Sequence, residues 1–486
     1  MAVKAFFAHA GLGYWLDVAA YLRDRRQWEI CYLQGHESQV PRAAELLPEA
    51  VFHTHGRAKK AEPPAGMTAL RLAPLDDGLL RSLAFHETIF LKMMDRYDLD
   101  GKLTYQKRVF HYHRQMMLWQ ALLEHFRPDV VVFRTAPHMG FDYALYALCR
   151  VTGVPTLMFE RTAIKGRLFP VESFETGSDP LRAAYAEKSA RKESEPVDLS
   201  EPARTHLANL KRNYTQAMPF HLRYKLEKFS RSGNVGGLPG ILFRTAVNTV
   251  RAALSRHQEP GLIRRVFQRN IGLIQKKKLR EYYERQAGPV DLDRPFIFAA
   301  LQCEPERQTC PVGGIFGHQH LMVDLLSRTV PEGWMVYVKE HVSQFKAYQL
   351  AERARSREFY DYLLSRPNVR LVPLDTVSFD LIDRALASAT ISGTVGWESL
   401  ARGKPALLFG NSWYMDCRGV FKIRDRRDLA AALRQIQNGY RVQEDWVQTF
   451  AAAVEKVSTI GYIDKIYDKA SFVSPEENVA NLAESL

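Results

Sequence analysis

The chain has 486 residues, of which 46% are hydrophobic and 25% are charged, with a formal net charge of +13. This length favours two or three domains that each have a core of their own, and the composition argues against disorder or a coiled coil. No apolar run approaches the roughly 18 residues that a membrane-spanning helix needs. The N-terminus, Met1-Ala-Val-Lys, is predicted to open a first strand and not a signal peptide.

The positive charge is concentrated in one segment. Between Arg204 and Arg285 there are 18 Lys and Arg residues against 4 Asp and Glu, and the rest of the chain is close to neutral. Binding of nucleic acid is therefore not indicated, and the aromatic residues of the segment are not interleaved as a stacking platform. The five scattered cysteines, which form no CxxC pair, indicate reduced thiols in a cytosolic protein.

The first part of the chain alternates strand and helix patterns. Hydrophobic periodicity predicts strands at 3–8, 28–33, 51–55, 128–133 and 153–159, a helical region at 79–126, and helices at 12–25 and 142–152. Residues 170–201 are predicted to be loop, with a domain boundary in their charged run. Such alternation predicts a parallel sheet with helices on both faces.

A second alternating unit opens at Arg294. It predicts strands at 294–301, 335–339, 369–373, 390–392 and 406–409, and helices at 318–328, 344–365, 380–387, 397–401 and from 429 onward. Two doubly wound halves predict an α/β, GT-B-like fold in which Rossmann-like domains face a cleft at their carboxyl strand ends. The predicted divisions are an N-terminal Rossmann-like domain, a basic helical segment, a C-terminal Rossmann-like domain and C-terminal helices that pack back on the first domain, at 1–200, 201–288, 289–445 and 446–486.

A glycine-rich turn with hydroxyl groups follows the fourth of these strands. In the run Ser392-Gly-Thr-Val-Gly-Trp-Glu398, backbone N–H groups at Gly393 and Gly396 and the hydroxyls of Ser392 and Thr394 can surround a phosphate at a helix N-terminus. Glu398 is a candidate acceptor for the hydroxyls of a ribose. The alternative is an ordinary helix cap, with a glutamate that suits the helix dipole.

Polar residues also follow two neighbouring strands of this half. Lys339, Glu340 and His341 come directly after an apolar strand. Such a group often marks only a solvated strand end, but its place one βαβ unit before the glycine turn favours phosphate contacts by Lys339 and His341. In the loop at 302–314, Glu306 and Arg307 are candidates for contact with nucleotide or sugar, and a plain surface loop is the alternative.

The candidate catalytic carboxylate lies in the N-terminal half. Glu160 follows a predicted buried strand and is itself followed by Arg161, Lys165 and Arg167. Neighbouring cations keep a carboxylate ionised at neutral pH, as a nucleophile or general base requires, although a structural ion pair has the same pattern. The same three cations, with His138 and Asp142, are the candidates for the acceptor side.

Several catalytic signatures do not occur in the sequence. These are HExxH, GxSxG, a P-loop, and a Rossmann GxGxxG with its downstream acid. No acidic dyad is placed to hold a metal–diphosphate complex, and two thiols without nearby histidines make a weak zinc site. We therefore expect chemistry that uses neither a metal nor a cofactor.

Three motifs resemble the bacterial capsule polysaccharide biosynthesis family, which includes β-Kdo transferases that use CMP-Kdo. They are Tyr337–His341, Ser392–Leu400 and Gly403–Gly410, and Glu304–Arg307 with Pro311–Gly314 resembles a motif of one subgroup. The likeness is specific over about 298–421. It implies a metal-independent GT-B glycosyltransferase of capsular or surface polysaccharide that transfers Kdo or a related ulosonic acid from a CMP donor. It also implies that His341, Ser392 and Thr394 contact the donor phosphate and that Glu398 lies near the nucleotide.

The resemblance gives the basic segment an expected role. Enzymes of this kind extend glycan or lipid-linked acceptors at the inner leaflet, so a cytoplasmic protein that is peripheral to this anionic surface is expected. Arg264, Arg265 and Lys276–Lys278, beside apolar residues, suit an amphipathic interfacial helix, and a solvated helical face is the alternative. Three other functions remain open: a GT-B transferase that uses a UDP- or GDP-sugar, an epimerase of similar architecture, and a non-catalytic capsule assembly or export factor.

Overall fold

Two sheets organise the chain. The computed structural model describes residues 2–8, 13–98, 101–190, 196–212, 247, 262–345, 351–463 and 473–486, without the side chains of 262–270 and 352. One sheet has seven strands and the other has six, and neighbouring strands of the second sheet are all parallel.

The N-terminal sheet has the strand order β13-β6-β5-β4-β1-β2-β3. Its strands are β1 Lys4–Ala8, β2 Glu29–Gly35, β3 Val51–Thr54, β4 Val130–Phe133, β5 Thr156–Arg161, β6 Arg167–Val171 and β13 Thr459–Ile460. Strands β1 to β5 are parallel, whereas β6 returns antiparallel to β5 and pairs antiparallel with β13. All four residues of β4 are buried, as expected for a central strand with both faces covered.

The C-terminal sheet has the strand order β12-β11-β10-β7-β8-β9. Its strands are β7 Phe296–Ala300, β8 Met335–Lys339, β9 Val369–Leu371, β10 Ala387–Thr390, β11 Ala406–Leu408 and β12 Val420–Lys422. The order reverses between β7 and β10, so the loops after these strands meet at one edge. Ligands bind at such a switch point in open α/β sheets.

The helices complete both layers. Those of the N-terminal half are α1 Tyr14–Arg26, α2 Val40–Leu46, α3 His55–Lys59, α4 Asp77–Met93, α5 Tyr105–Phe126, α6 Phe141–Thr152, α7 Asp179–Ser189 and α8 Glu201–Arg212. Those that follow are α9 Leu262–Gln286, α10 Gln319–Ser327, α11 Arg357–Leu364, α12 Ser378–Arg384, α13 Thr394–Ala401, α14 Arg426–Gln437, α15 Glu444–Val457 and α16 Pro475–Ser485. Short 3₁₀ turns occur at Glu37–Gln39, Ala65–Met67, Met94–Arg96, Gly314–Gly317, Val342–Gln344 and Ala351–Arg353.

This topology confirms the predicted fold class. Two doubly wound, Rossmann-like domains of the GT-B-like kind share one chain, and the C-terminal helices brace the first domain. Helix α15 packs against α7, and α16 packs against α1, where the Tyr21 hydroxyl donates to the Glu484 carboxylate at 2.9 Å. One apolar core cluster includes Phe174 of the first domain and Trp413 of the second, so the two domains pack on each other.

Three predicted elements need correction. The loop predicted at 170–201 contains α7, which begins where the Ser178 hydroxyl accepts from the Leu181 N–H and Pro180 occupies the first turn. The strand predicted at 390–392 is β10, which ends at Thr390 and leaves Ser392 in the turn. In the region predicted as a helix at 344–365, α11 occupies only Arg357–Leu364, and residues 346–350 lie outside the described part.

The basic segment is described only in part. Residues 213–246 and 248–261 and the side chains of Arg264 and Arg265 lie outside the described residues, so the predicted interfacial helix is not tested there. In the described part of α9, Lys276 is only 5% exposed and shares a buried helical face with Leu279 and Tyr283. Lys276 therefore does not belong to an exposed cationic face. Among the residues that the structure describes, no helix is both long enough and apolar enough to cross a bilayer.

Candidate active site

The glycine-rich turn joins β10 to α13 at the carboxyl edge of the C-terminal sheet. Gly393 is the N-cap of α13 in an extended conformation and contributes no side-chain cap. The Thr394 hydroxyl does not cap the helix either, because it donates to Glu398 Oε1 at 2.8 Å. The predicted alternative of an ordinary Ser or Thr cap is therefore not what the turn shows. The two N–H groups predicted to surround a phosphate are already engaged, because that of Gly393 donates to Thr390 Oγ1 at 3.2 Å and that of Gly396 donates to the Gly393 carbonyl oxygen at 3.3 Å. An anion at this turn would be met by the N–H groups of Thr394 and Val395 in the first turn of α13.

The two glycines of the turn are required by packing. A Cβ at Gly393 would lie 2.7 Å from Gln302 Nε2, and a Cβ at Gly396 would collide with the hydroxyl of Tyr414. The same hydroxyl donates to the carbonyl oxygen of Gly393. Tyr414 thereby fixes the turn from behind. No motif predicts this contact, because Tyr414 lies eighteen residues after Gly396 in the chain.

Ser392 is held by the loop at 302–314. Its hydroxyl lies 2.8 Å from the Gln308 carbonyl oxygen, 3.0 Å from Gln308 Oε1 and 3.4 Å from Gln302 Oε1. The hydroxyl is therefore directed at this loop. A phosphate at the turn would have to draw the hydroxyl away from Gln308 or bind beside it.

Glu398 lies behind the turn. Its side chain is 6% exposed, and burial raises its pKa to about 7, against smaller opposing contributions from Thr394 and Arg402. A carboxyl group that titrates near neutral pH is unusual and is more frequent at functional sites than elsewhere. Its hydrogen bond with Thr394 leaves the group one turn below the predicted phosphate position.

Lys339 and His341 flank a buried glutamate at the end of β8. Lys339 is only 9% exposed. Burial lowers the pKa of its ammonium group, whereas the carboxylates of Glu340 and Asp375 act to raise it. His341 Nδ1 accepts a hydrogen bond from the Ser343 N–H at 3.2 Å. In the neutral ring the proton is then on Nε2, so that Nε2 is the donor this histidine can offer to an anion.

Glu340 belongs to a buried ion-pair network that sequence reasoning missed. Its Oε2 lies 2.8 Å from Arg355 Nε and 2.9 Å from the Tyr360 hydroxyl. Arg355 also contacts Glu304, which pairs with Lys92 Nζ of α4 at 3.1 Å. Burial acts to raise the pKa of Glu304, but Arg355 and Lys92 together hold it below its usual range. This network connects the candidate phosphate edge with the N-terminal domain.

The loop at 302–314 also reaches across the cleft. Arg307 Nη1 donates to the hydroxyl of Thr135 at the carboxyl end of β4, and Arg96 Nη1 and Nη2 donate to the carbonyl oxygens of His138 and Cys310. The backbone carbonyl of Glu306 accepts from the Thr309 hydroxyl at 2.9 Å, which shapes the loop. The predicted alternative of a plain surface loop does not fit these contacts.

Glu160 lies at the end of β5 and lines a pocket to which both domains contribute residues. Burial raises the pKa of Glu160, and the guanidinium groups of Arg307 and Arg161 oppose this rise. The main cationic influence thus comes from Arg307 of the opposite domain, which sequence order alone did not reveal. Arg167, which the sequence analysis expected beside Glu160, instead pairs with Glu455 Oε1 of α15 at 3.4 Å.

The other acceptor-side candidates lie around this strand end. Strand alternation directs Glu160 and its partner Phe169 to the pocket face, and directs Arg161 and its partner Leu168 to the opposite face. Lys165 is exposed in the turn between β5 and β6. Asp142 is buried and accepts from the N–H groups of His138 and Met139 at 3.3 and 2.6 Å. Asp142 and His138 therefore shape the turn before α6.

No protein-family model matches the chain, and no curated protein sequence matches it. Among solved structures, the chain aligns with a β-Kdo 2,7 transferase, KpsC of Thermosulfurimonas dismutans, at 10% identity over 76% of this chain and 88% of that chain, with a TM-score of 0.31. It aligns with a UDP-GlcNAc 2-epimerase from Neisseria meningitidis at 12% identity over 94% and 98%, with a TM-score of 0.23. It aligns with the calicheamicin glycosyltransferase CalG4 at 12% identity over 96% and 97%, with a TM-score of 0.24. At these identities and TM-scores the alignments carry no argument about activity.

Among the described residues, no group of three or more His, Cys, Asp or Glu side chains is placed to hold a metal ion. All five cysteines are buried, and none of them forms a disulfide bond.

Proposed function

We propose that the protein is a GT-B glycosyltransferase of capsular or surface polysaccharide biosynthesis. Its donor is a nucleotide-activated sugar, most specifically Kdo or a related ulosonic acid activated with CMP, and its acceptor is a glycan or glycolipid. The reaction needs neither a metal nor a cofactor, which the sequence supports because no acidic dyad is placed to hold a metal–diphosphate complex.

One observation carries the proposal. The loop at 302–314 contacts the glycine-rich turn through Gln308 and Ser392, and the same loop contacts the N-terminal domain through Arg307 and Thr135. This loop thus connects the glycine-rich turn of one domain, which is suited to bind phosphate, with the domain that carries the cleft carboxylate Glu160. Such an arrangement suits transfer between a bound donor and an acceptor across the cleft.

The donor side is assigned to the carboxyl edge of the C-terminal sheet. The N–H groups of α13, Lys339 and the Nε2–H of His341 would hold the phosphate and stabilise the negative charge that develops on the leaving group. Glu398 would accept from the ribose. The resemblance of these motifs to CMP-Kdo-dependent transferases supports the choice of a CMP donor over a UDP or GDP donor.

Glu160 is proposed as the catalytic carboxylate. Both possible roles, nucleophile in a retaining double displacement and base on the acceptor hydroxyl in an inverting transfer, require the ionised form. Arg307 supports that form against the effect of burial. The configuration of the product, measured by NMR of the newly formed glycosidic linkage, distinguishes the two roles, and Glu160→Gln should abolish transfer in either case.

Donor binding is the first test. A thermal-shift panel of the purified protein with CMP, UDP, GDP and their simple sugar conjugates should show a selective response to the CMP compounds. At about 100 times its Kd, a ligand adds about 2.7 kcal/mol to the free energy of unfolding. His341→Asn should reduce the response, because the shorter amide can keep the cap contact to Ser343 but cannot place a donor where Nε2 lies. A UDP or GDP response would replace the proposed donor, and no response to any nucleotide would favour a non-catalytic assembly factor.

Peripheral attachment to the cytoplasmic face of the inner membrane is part of the proposal. It is supported by the excess of cations at 204–285 in the sequence. Vesicle co-sedimentation should rise with the fraction of anionic lipid and fall with salt, and equal binding to neutral vesicles would contradict it.

A further inference from the structure

Lys92 of α4 reaches from the N-terminal domain to the loop between β7 and α10. Its Nζ lies 3.1 Å from Glu304 Oε1, 2.8 Å from the carbonyl oxygen of Gly317 and 3.3 Å from His318 Nδ1. An ammonium group has three N–H donors and accepts no hydrogen bond, so each donor has an acceptor here. Glu304 lies near the β7 end of the loop and Gly317 near its α10 end, and Lys92 therefore holds both ends from the opposite domain.

Glu304 is the point at which this contact enters the C-terminal domain. The residue is buried, and its carboxylate pairs with Arg355 as well as with Lys92. Its backbone is paired with the side chain of Gln344, because the Glu304 N–H donates to Gln344 Oε1 at 2.8 Å and Gln344 Nε2 donates to the Glu304 carbonyl oxygen at 3.2 Å. A buried polar network with its bonds satisfied in this way is rigid.

Two routes lead from Glu304 to His341. In the first, Arg355 Nε lies 2.8 Å from Glu340 Oε2, and Glu340 Oε1 accepts from the His341 N–H at 2.8 Å. In the second, Gln344 is the last residue of the 3₁₀ turn that His341 caps, and the Gln344 N–H donates to the His341 carbonyl oxygen at 2.8 Å. The N–H and the carbonyl group of His341 are thus both held by contacts that lead back to Glu304.

The orientation of the imidazole ring follows from the same turn. His341 Nδ1 accepts from the Ser343 N–H at 3.2 Å, so the backbone of the turn orients the ring. A displacement of the turn therefore moves Nε2, the atom proposed to donate to the donor phosphate. A displacement of about 1 Å in a group that positions a substrate can cost about a hundred-fold in rate.

Arg355 contacts two buried carboxylates, and Lys92 supports one of them. Glu304 has both Arg355 and Lys92 as partners, whereas Arg355 is shared between Glu304 and Glu340. Without Lys92, Glu304 would rely on Arg355 alone, at the expense of the contact between Arg355 and Glu340. The Lys339 ammonium also acts on Glu340, so we expect the turn to be displaced and not to unfold.

We propose that Lys92 is a positioning residue of the donor site, and that it fixes His341 through Glu304 although it belongs to the opposite domain. This proposal rests on the proposed transferase function, and it adds that the donor site depends on a contact made by the acceptor-side domain. The donor nucleotide should therefore bind less tightly whenever the contact between Lys92 and Glu304 is broken.

The ring of His341 reports this effect without any ligand. In protein labelled with nitrogen-15 at histidine, its signals are assigned by their loss in His341→Asn. At mildly alkaline pH the parent protein should show the separate Nδ1 and Nε2 signals of a neutral ring with its proton on Nε2. In Lys92→Met the two signals should move toward each other, because a loosened ring exchanges its proton between both nitrogens, and Lys92→Arg, which keeps the charge, should preserve most of the separation. Unchanged signals in Lys92→Met would overturn the proposal.

Binding of CMP, measured by titration calorimetry, tests the consequence for the donor site. The Kd should rise at least about five-fold in Lys92→Met and change little in Lys92→Arg. Arg182→Met is the matched control, because Arg182 Nη1 also pairs across the two domains, with Asp416 Oδ2 at 3.0 Å, and it should leave the Kd unchanged. An equal rise in Arg182→Met would mean that any loosening of the domain contact weakens binding, which would refute the specific role of Lys92.

A double-mutant cycle locates the route. Glu304→Gln breaks the same pair from the other side and should move the His341 signals in the same direction as Lys92→Met. Once Glu304→Gln is in place, Lys92→Met should have little further effect on these signals. A full additional effect would mean that Lys92 acts through Gly317 or His318, and the proposed route would be wrong. If CMP does not bind to the parent protein, the proposed donor fails, while the His341 signals still decide the role of Lys92.

Discussion

Glu398 should make the folded protein less stable as the pH rises through neutrality. Burial raises its pKa from an ordinary 4.5 to about 7. A carboxyl group whose pKa is raised on folding stabilises the fold fully below the pKa of the unfolded chain, and this contribution is lost as the pH rises through the folded-state pKa. The interval from 4.5 to about 7, at about 1.4 kcal/mol for each pH unit, corresponds to about 3 kcal/mol.

The perturbation that tests this is Glu398→Gln. Glutamine keeps the size of the side chain and an oxygen that accepts from the Thr394 hydroxyl, but it does not titrate. Between pH 5 and pH 8, the parent protein should lose about 2 to 3 kcal/mol of unfolding free energy relative to the variant. The comparison between the two pH values removes any constant effect of the substitution on packing.

Urea unfolding of both proteins at pH 5 and pH 8, followed by far-ultraviolet circular dichroism, measures this difference. Glu45→Gln, which removes an exposed carboxylate on α2, is the control for the loss of one negative charge at the surface. If the difference between the parent and Glu398→Gln is the same at pH 5 and pH 8, the argument from burial is wrong.

Three further predictions concern the cleft. Arg307→Ala should raise the pKa of Glu160 and so move the acidic limb of the pH–rate profile to higher pH. Arg307→Lys keeps the positive charge and should move this limb less. If the limb stays in place in both variants, Arg307 does not have the assigned role. Arg355→Met should destabilise the protein by about 3 to 5 kcal/mol in urea unfolding, because buried carboxylates lose their partner, and adding Glu340→Gln should recover part of that loss. His341→Gln, whose longer amide can place an N–H near the position of Nε2, should retain more donor binding in the thermal-shift assay than His341→Asn, and the reverse order would contradict the assigned tautomer.

The fold was predictable because its signals are local. Buried β-branched runs such as Val130–Phe133 and the exact match of Met335–Lys339 follow from hydrophobic periodicity. Helix α7 was missed because the charged run at 187–195 outweighed the Ser178-Asp-Pro180 start signal, and because its apolar face becomes apparent only against α15. The prediction placed β10 three residues late, since Ile391 continues the apolar pattern after the strand has ended.

The candidate site was predictable only where one segment holds all its parts. The turn from Ser392 to Glu398 is such a segment. The partners that decide its chemistry come from distant positions: Tyr414 behind the glycines, and Arg307 opposite Glu160. Arg355 gave no sequence signal, because an arginine outside a motif is ordinarily a surface residue and its burial depends on two glutamates far along the chain.

The loop at 302–314 makes the geometry of the glycine-rich turn, at the carboxyl edge of the C-terminal sheet, depend on the packing of the two domains. Glu304 is tied to Lys92 of the first domain, Arg307 to Thr135 of the same domain, and Gln308 to Ser392 of the turn. A ligand that withdraws the Ser392 hydroxyl toward a phosphate must therefore compete with a loop that is anchored on both sides of the cleft. Because Arg307 is also the main cation near Glu160, a shift of this loop on donor binding would change the ionisation of the Glu160 carboxylate. Donor binding and activation of Glu160 are in this way expected to be coupled through one loop, with no need for a larger rearrangement of either sheet.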